Sequence, residues 1–256
     1  MKHIKKKFLE INTLTPEQIS PDKATFIGEI KKEKEMISII SKDDGTNYMG
    51  FLYRQNRNDV PIIFCMPILP MVFYDNAYQS YLLAKEKRAA ILNKMSNLST
   101  NAALPEHEIY LYIGFATSSV IMMCVALENF VNEQIARLDF TYEIETTKRK
   151  EVYNASQIQD FFDLKTKLFK ILPLARKKFI KANEGFKTVI ENLITFRNNM
   201  VHIKSVHNGL HSFTDDSELI RRTLNYDYWK ALGAVRDYMN FFIPNYIEDC
   251  PCGDEN

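Results

Sequence analysis

From Glu106 to Leu138 the chain reads EHEIYLYIGFATSSVIMMCVALENFVNEQIARL, a run of roughly thirty residues without proline. A helix of that length extends about 45 Å at the ordinary rise per residue. Between Tyr110 and Leu127 it is apolar nearly all round. A surface helix needs only one apolar stripe, so a helix apolar around its circumference has to be enclosed by other helices. A helical bundle is therefore expected. The most apolar part, Ile113–Leu127, is short for a bilayer span and carries Thr117, Ser118 and Ser119, so no membrane crossing is expected.

The flanking sequence supplies the other helices. Asp75 to about Asn97 has apolar positions at helical spacing with neither proline nor glycine, and SNLSTNAALP ends it. Pro105 suits the first turn of the long helix, where its missing N–H costs nothing. After the polar stretch DFTYEIETTKRKEV, a third helix is expected over Ile158–Leu172, ending at Pro173. A fourth follows from about Asn183 to His202, then a loop HNGLHSFTDDSE, then a fifth helix over roughly Tyr226–Glu248, kinked near Pro244. Before residue 72 the texture differs. FIGEIKKE and MISIISK are β-prone, DDGTN (Asp43–Asn47) reads as a hairpin turn before YMGFLYR, and the prolines of VPIIFCMPILP disfavour a long helix. The expected organisation is a small β-containing extension over 1–72 and a mainly α bundle of about five helices over 73–256.

Charge narrows the function classes. Lys plus Arg (33) against Asp plus Glu (32) leaves the net charge near zero, unlike a protein that coats nucleic acid wholesale, so any nucleic-acid contact should be localised. Cys65 and Cys124 lie in apolar runs. Cys250 and Cys252 form a lone CxC in an acidic tail with no further zinc ligands nearby, which reads as a structural or surface tail. Neither metal nor cofactor is expected. The N-terminus, MKHIKKKFLEINTLTPEQ, is basic but lacks the apolar core of a signal peptide, which points to the cytoplasm.

The fourth helix carries the feature that needs explaining. On a wheel of about 100° per residue, Val189, Ile190, Leu193, Ile194, Phe196, Met200 and Val201 share one arc with Phe186, and Arg197 falls near its middle. Asn198 and His202 lie side by side on the polar flank, one turn apart. A guanidinium in an apolar surface is costly unless something compensates it. Three arrangements would do so: a buried carboxylate such as Glu128 on the long helix, a stem that snorkels to water from the bundle's edge, or a partner surface bearing an anion.

Arg197–His202, RNNMVH, resembles the R-x(4–6)-H signature of the HEPN superfamily, including its common Asn directly after the Arg. The upstream ALENFVNEQI (Ala126–Ile135) is similar to the Glu-then-Asn helix of members related to phage-defence and abortive-infection factors. LKTKLFKIL (Leu164–Leu172) is similar to their Lys-containing helix ahead of the signature. The resemblance covers roughly residues 75–248 and leaves out the β-like region. Some members carry a Tyr two residues after the His, the target of nucleotide transfer; Lys204 stands there in this chain.

The resemblance implies an all-α bundle acting as a homodimer, with the Arg and His of both copies meeting at the two-fold axis. It also implies a metal-independent endoribonuclease, a toxin or defence effector with RNA as substrate and an antitoxin or defence-system protein as a further partner. His202 would handle the protons, Arg197 the phosphate charge, and Asn198 would orient the imidazole or donate to the phosphate. Glu128 and Asn132 would hold Arg197 or shape the pocket, a plain buried ion pair being the other reading of Glu128. His207 and His211 stand close enough in sequence to approach RNA. The alternative function is a HEPN module that binds nucleotide, RNA or protein without cutting.

Overall fold

The computed structural model describes residues 4–8, 36–41, 47–53, 62–96, 106–145, 149–181, 184–201 and 210–250. The chain is mainly α. Two long helices, α1 (Leu69–Ser96) and α2 (Glu106–Arg137), form its frame. They run antiparallel, because Ser119 Oγ donates to the Ala77 carbonyl at 2.9 Å while Lys94 reaches Glu108 at 3.5 Å. Helix α1 starts at Leu69, earlier than the expected Asp75, because Pro70 occupies the first turn, where a missing N–H breaks no hydrogen bond.

Helix α2 is enclosed as its sequence requires. Ala116, Val120, Leu127, Phe130, Val131 and Ile135 are fully buried along it. Taken whole, α2 is long and apolar enough by length and composition to cross a membrane, more than its central run alone suggested. In this fold it is the helix against which the others pack.

The segment after α2 departs from expectation. DFTYEIETTKRKEV contains a hairpin, β4 (Tyr142–Glu145) antiparallel to β5 (Lys150–Tyr153). The expected third helix is broken in two. Helix α3 (Ala155–Phe161) starts with a capping box between Asn154 and Gln157. After an extended Phe162, Asp163 caps α4 (Leu164–Thr166) by accepting from Thr166 N. A π turn follows over Lys167–Ile171, then α5 (Leu172–Ala175). Pro173 does not end the segment: it sits in the first turn of α5, where proline is tolerated.

Helix α6 (Gly185–Val201) lies where the apolar arc predicts. The expected loop HNGLHSFTDDSE is corrected: from Leu210 onward it is helix α7 (Leu210–Asn225). Leu210, Ile220 and Leu224 recur at helical intervals, and Arg221 and Arg222 in the last turns complement the helix dipole. Helix α8 (Tyr228–Phe242) is capped by Asp227, whose Oδ1 accepts from Lys230 N at 2.9 Å. It stops short of the expected Glu248. Ile243, ahead of Pro244, is extended, so the proline ends the helix rather than kinking it.

Tyr238 of α8 is the hub of the core. Its ring meets Phe130, Phe169, Phe186 and Phe242 edge-on, and its hydroxyl donates to the Leu168 carbonyl at 2.8 Å. The last turn of α7 is tied down in a similar way. Tyr112 and Tyr228 hydroxyls both donate to the Thr223 carbonyl, at 2.7 and 2.9 Å, and Arg88 Nε donates to the Leu224 carbonyl at 2.9 Å. These are terminal carbonyls that the helix itself cannot satisfy. Because one carbonyl serves two phenols, Tyr112→Phe or Tyr228→Phe alone should cost at most about 1 kcal/mol, and the pair together more than the sum. Urea midpoints of the three variants check this.

Ahead of α1, β1 (Met36–Ser41), β2 (Asn47–Tyr53) and β3 (Ile62–Cys65) form an antiparallel sheet in that order, with Met36 opposite Leu52 and Ser41 opposite Asn47. The expected hairpin of MISIISK and YMGFLYR is therefore present. The run FIGEIKKE lies outside the described residues. Residues 4–8 lie against the chain after α8 and just before α1: Ile4 pairs with Asp249 and is buried, Lys7 bridges Glu248 at 2.7 Å, and Phe8 pairs with Pro67. Cys65 and Cys124 are free thiols and Cys250 is disulfide-bonded.

Candidate active site

The site is built where α6 leaves the core. Phe186, Ile190, Leu193 and Phe196 of its apolar arc are buried, while Val189, Ile194 and Met200 are half-buried and Val201 is 47% exposed. Arg197 shares the angular position of Phe186 and Ile190 but comes two to three turns later, at the rim, and is itself half-buried. Hence the guanidinium is neither sealed in nor free in water.

Its bonding is incomplete. Arg197 Nη1 donates to Asn198 Oδ1 at 3.0 Å, so the neighbouring amide holds the fork in place. Arg197 Nε is buried and has no acceptor among the described residues. Among the described residues no carboxylate pairs with Arg197. The carboxylate expected there, Glu128, is engaged elsewhere: its Oε1 accepts from Lys167 Nζ at 2.7 Å. The arginine nevertheless lies near α2. Burial pushes the Cys124 thiol up to about 12 against the pull of the Arg197 guanidinium, and Glu128 adds a smaller push upward.

Lys167 is the residue that the sequence reading missed. Only 1% of its side chain is exposed, against 40% for Glu128, and Nζ also reaches the Gln159 carbonyl at 3.3 Å. It lies in the π turn, so a buried ammonium is threaded toward α2 by an irregular stretch of helix. The signal was present in LKTKLFKIL, where Lys167 falls among Leu164, Leu168 and Ile171 just as Arg197 falls among its apolar neighbours. Asn132, one turn past Glu128 on the same face, is half-buried, and its buried Oδ1 lacks a donor among the described residues.

The structure thus brings Arg197, Asn198, Cys124 and the Glu128–Lys167 pair to one region of the α2–α6 contact. His202 and His207 lie outside the described residues. His211 is in α7 rather than in a loop. Among the described residues no three His, Cys, Asp or Glu side chains gather as a metal site would require. Chemically, the rim offers a fixed, incompletely satisfied cation, an amide that orients it, and an exposed apolar edge. Compared with known proteins, the chain is matched by no family model, no curated protein and no solved structure.

Proposed function

We propose that this chain is a HEPN-type endoribonuclease, a toxin or phage-defence effector, that cuts RNA without a metal ion at a site completed by a second copy. The observation that carries the reading is the state of Arg197: pinned by Asn198, short of an acceptor at Nε, and not neutralised by Glu128. A buried donor without an acceptor costs about 1–3 kcal/mol, and a phosphate oxygen arriving at the rim would remove that cost. The exposed Val201 at the same end gives a second copy an apolar edge to cover.

In the reaction, the neutral imidazole of His202 takes the proton of a ribose 2′-OH as that oxygen attacks the adjacent phosphorus. The P–O5′ bond breaks, and the second copy's His202, protonated, gives its proton to the departing 5′-oxygen. Arg197 bears the charge that builds on the non-bridging oxygens. The products are a 2′,3′-cyclic phosphate and a 5′-hydroxyl. Asn198 holds the arginine through Oδ1 and keeps its amide N–H groups for phosphate or imidazole.

The test is to incubate the purified protein with end-labelled RNA in excess EDTA and to identify the new termini by mass. Cyclic-phosphate ends are expected. Tight RNA binding with no cleavage at stoichiometric protein would instead assign the non-cutting alternative.

A further inference from the structure

Two adjoining cavities flank the N-terminal side of the Arg197 region, and the proposed chemistry uses neither. The larger, about 370 Å³, opens between α1 and the α7–α8 turn and is lined by Tyr81, Lys85, Arg88, Tyr228 and Trp229. The smaller, about 280 Å³, is lined by Asn192, Thr195, Phe196 and Arg222. Asn225 and Tyr226 border both, so the two cavities are neighbours, and a path over these residues would join them. It reaches α6 at Phe196, the residue directly before Arg197.

The path is paved with rings. Trp229 leans on Tyr81 at 6.0 Å, Tyr81 stacks on Tyr228 at 6.5 Å, and Tyr228 meets Tyr226 edge-on at 5.0 Å. Tyr226 in turn stacks on Phe196 at 4.4 Å, and the Arg222 guanidinium lies 5.6 Å over the Phe196 ring. Most of these rings are core on their inner side. Trp229, however, is 49% exposed, a large apolar surface left in water at the mouth of a cleft.

Three cations lie along the path, Lys85, Arg88 and Arg222. On α1, Tyr81, Lys85 and Arg88 share one face. Arg88 Nε is fixed on the Leu224 carbonyl at 2.9 Å, and the residue lines the cleft. Among the described residues neither Lys85 nor Arg222 has a carboxylate partner. Of the acids nearby, Glu86 lies 3.6 Å from Lys87 and Glu218 lies 3.6 Å from Arg221, while Asp227 lines the larger cavity itself, its Oδ1 accepting from Lys230 N at the start of α8. An exposed ring, Trp229, beside cations that have no carboxylate partner among the described residues suits a chain of bases joined by phosphates, since every base offers a π face and every linkage an anion.

We propose that this cleft holds unpaired nucleotides of a single-stranded nucleic acid, with a base on Trp229 and phosphates at Lys85 and Arg222, leading the strand to Arg197. That the strand is RNA and is cut rests on the ribonuclease reading; that a strand binds does not. Binding is measured by fluorescence anisotropy with a labelled uridine 12-mer and the matching DNA, on the His202→Ala background so that the probe survives. Trp229→Ala should weaken RNA binding by about 5- to 150-fold, the range of one lost stack. Trp229→Phe should restore most of it, which separates stacking from folding. Lys85→Gln and Arg222→Gln should each lower the salt slope by about 0.7.

Unchanged affinity and slope in all of these variants overturns the proposal, and so does full displacement of the strand by uridine monophosphate, which would mark a free-nucleotide site. The wild-type cleavage assay keeps the two readings apart. Cleavage indifferent to Trp229 and Lys85 removes the cleft and spares the nuclease. Trp229-dependent binding by a protein that never cuts removes the nuclease and spares the cleft.

Discussion

Arg197→Met should lower the single-turnover rate of RNA cleavage by roughly 10²- to 10³-fold, the scale seen when one donor to a developing oxyanion is removed. The same change should leave the thermal midpoint unmoved or higher. The second half follows from the bonding of the residue. Its Nε is buried without an acceptor and its one described hydrogen bond goes to the side chain next to it. Methionine keeps most of the apolar stem and removes a desolvated charge, so folding loses little and sheds an unsatisfied donor. Arg197→Lys should recover only part of the rate, because a point charge cannot reproduce the fork. His202→Ala should cost about 10²- to 10⁴-fold in rate. An arginine that serves as a core anchor gives the opposite pattern: a midpoint lowered by several degrees and cleavage spared in whatever stays folded. Rates and melting curves taken on one preparation of each variant decide between them.

How far the fold was legible depended on the number of residues that voted for each element. Helix α2 declared itself because some thirty residues agree on one pattern, and α6 because its apolar arc is continuous from Phe186 to Val201. Helix α7 was misread because HNGLHS and DDS carry turn-forming residues, while the apolar positions that make it helical are few and widely spaced. The proline rules were correct physics applied to the wrong turn. Pro70 and Pro173 sit in first turns, where they are harmless, and Pro244 lies beyond the end of its helix. At the site, a wheel sufficed to single out Arg197, since burial along α6 is a property of one helix. Its partners are another matter. That Glu128 goes to Lys167 depends on a π turn that shifts the register of one helix against another, and a uniform 100° wheel cannot represent that shift.

That ion pair should prove lopsided. Glu128→Ala should destabilise the protein by about 2–4 kcal/mol, below the 3–5 kcal/mol of a fully buried pair because the carboxylate is 40% exposed and partly screened. Lys167→Met should cost no more than about 1 kcal/mol. The asymmetry comes from where each charge is left. Without the carboxylate, an ammonium with 1% of its side chain exposed keeps, among the described residues, only the Gln159 carbonyl at 3.3 Å. Without the lysine, a half-exposed carboxylate turns to water, and methionine fills a similar volume in the core. The double variant should therefore sit near Lys167→Met alone, with most of the Glu128→Ala loss recovered. Urea titrations with unchanged m-values would measure all three. If both single changes cost the same and their effects simply add, Lys167 is not held by Glu128 in the folded state, and the π turn that delivers it has some other cause. If the cycle behaves as expected, Lys167 is what holds Glu128, and Glu128→Gln, which keeps an acceptor for Lys167 and leaves Arg197 unneutralised, should leave cleavage nearly intact.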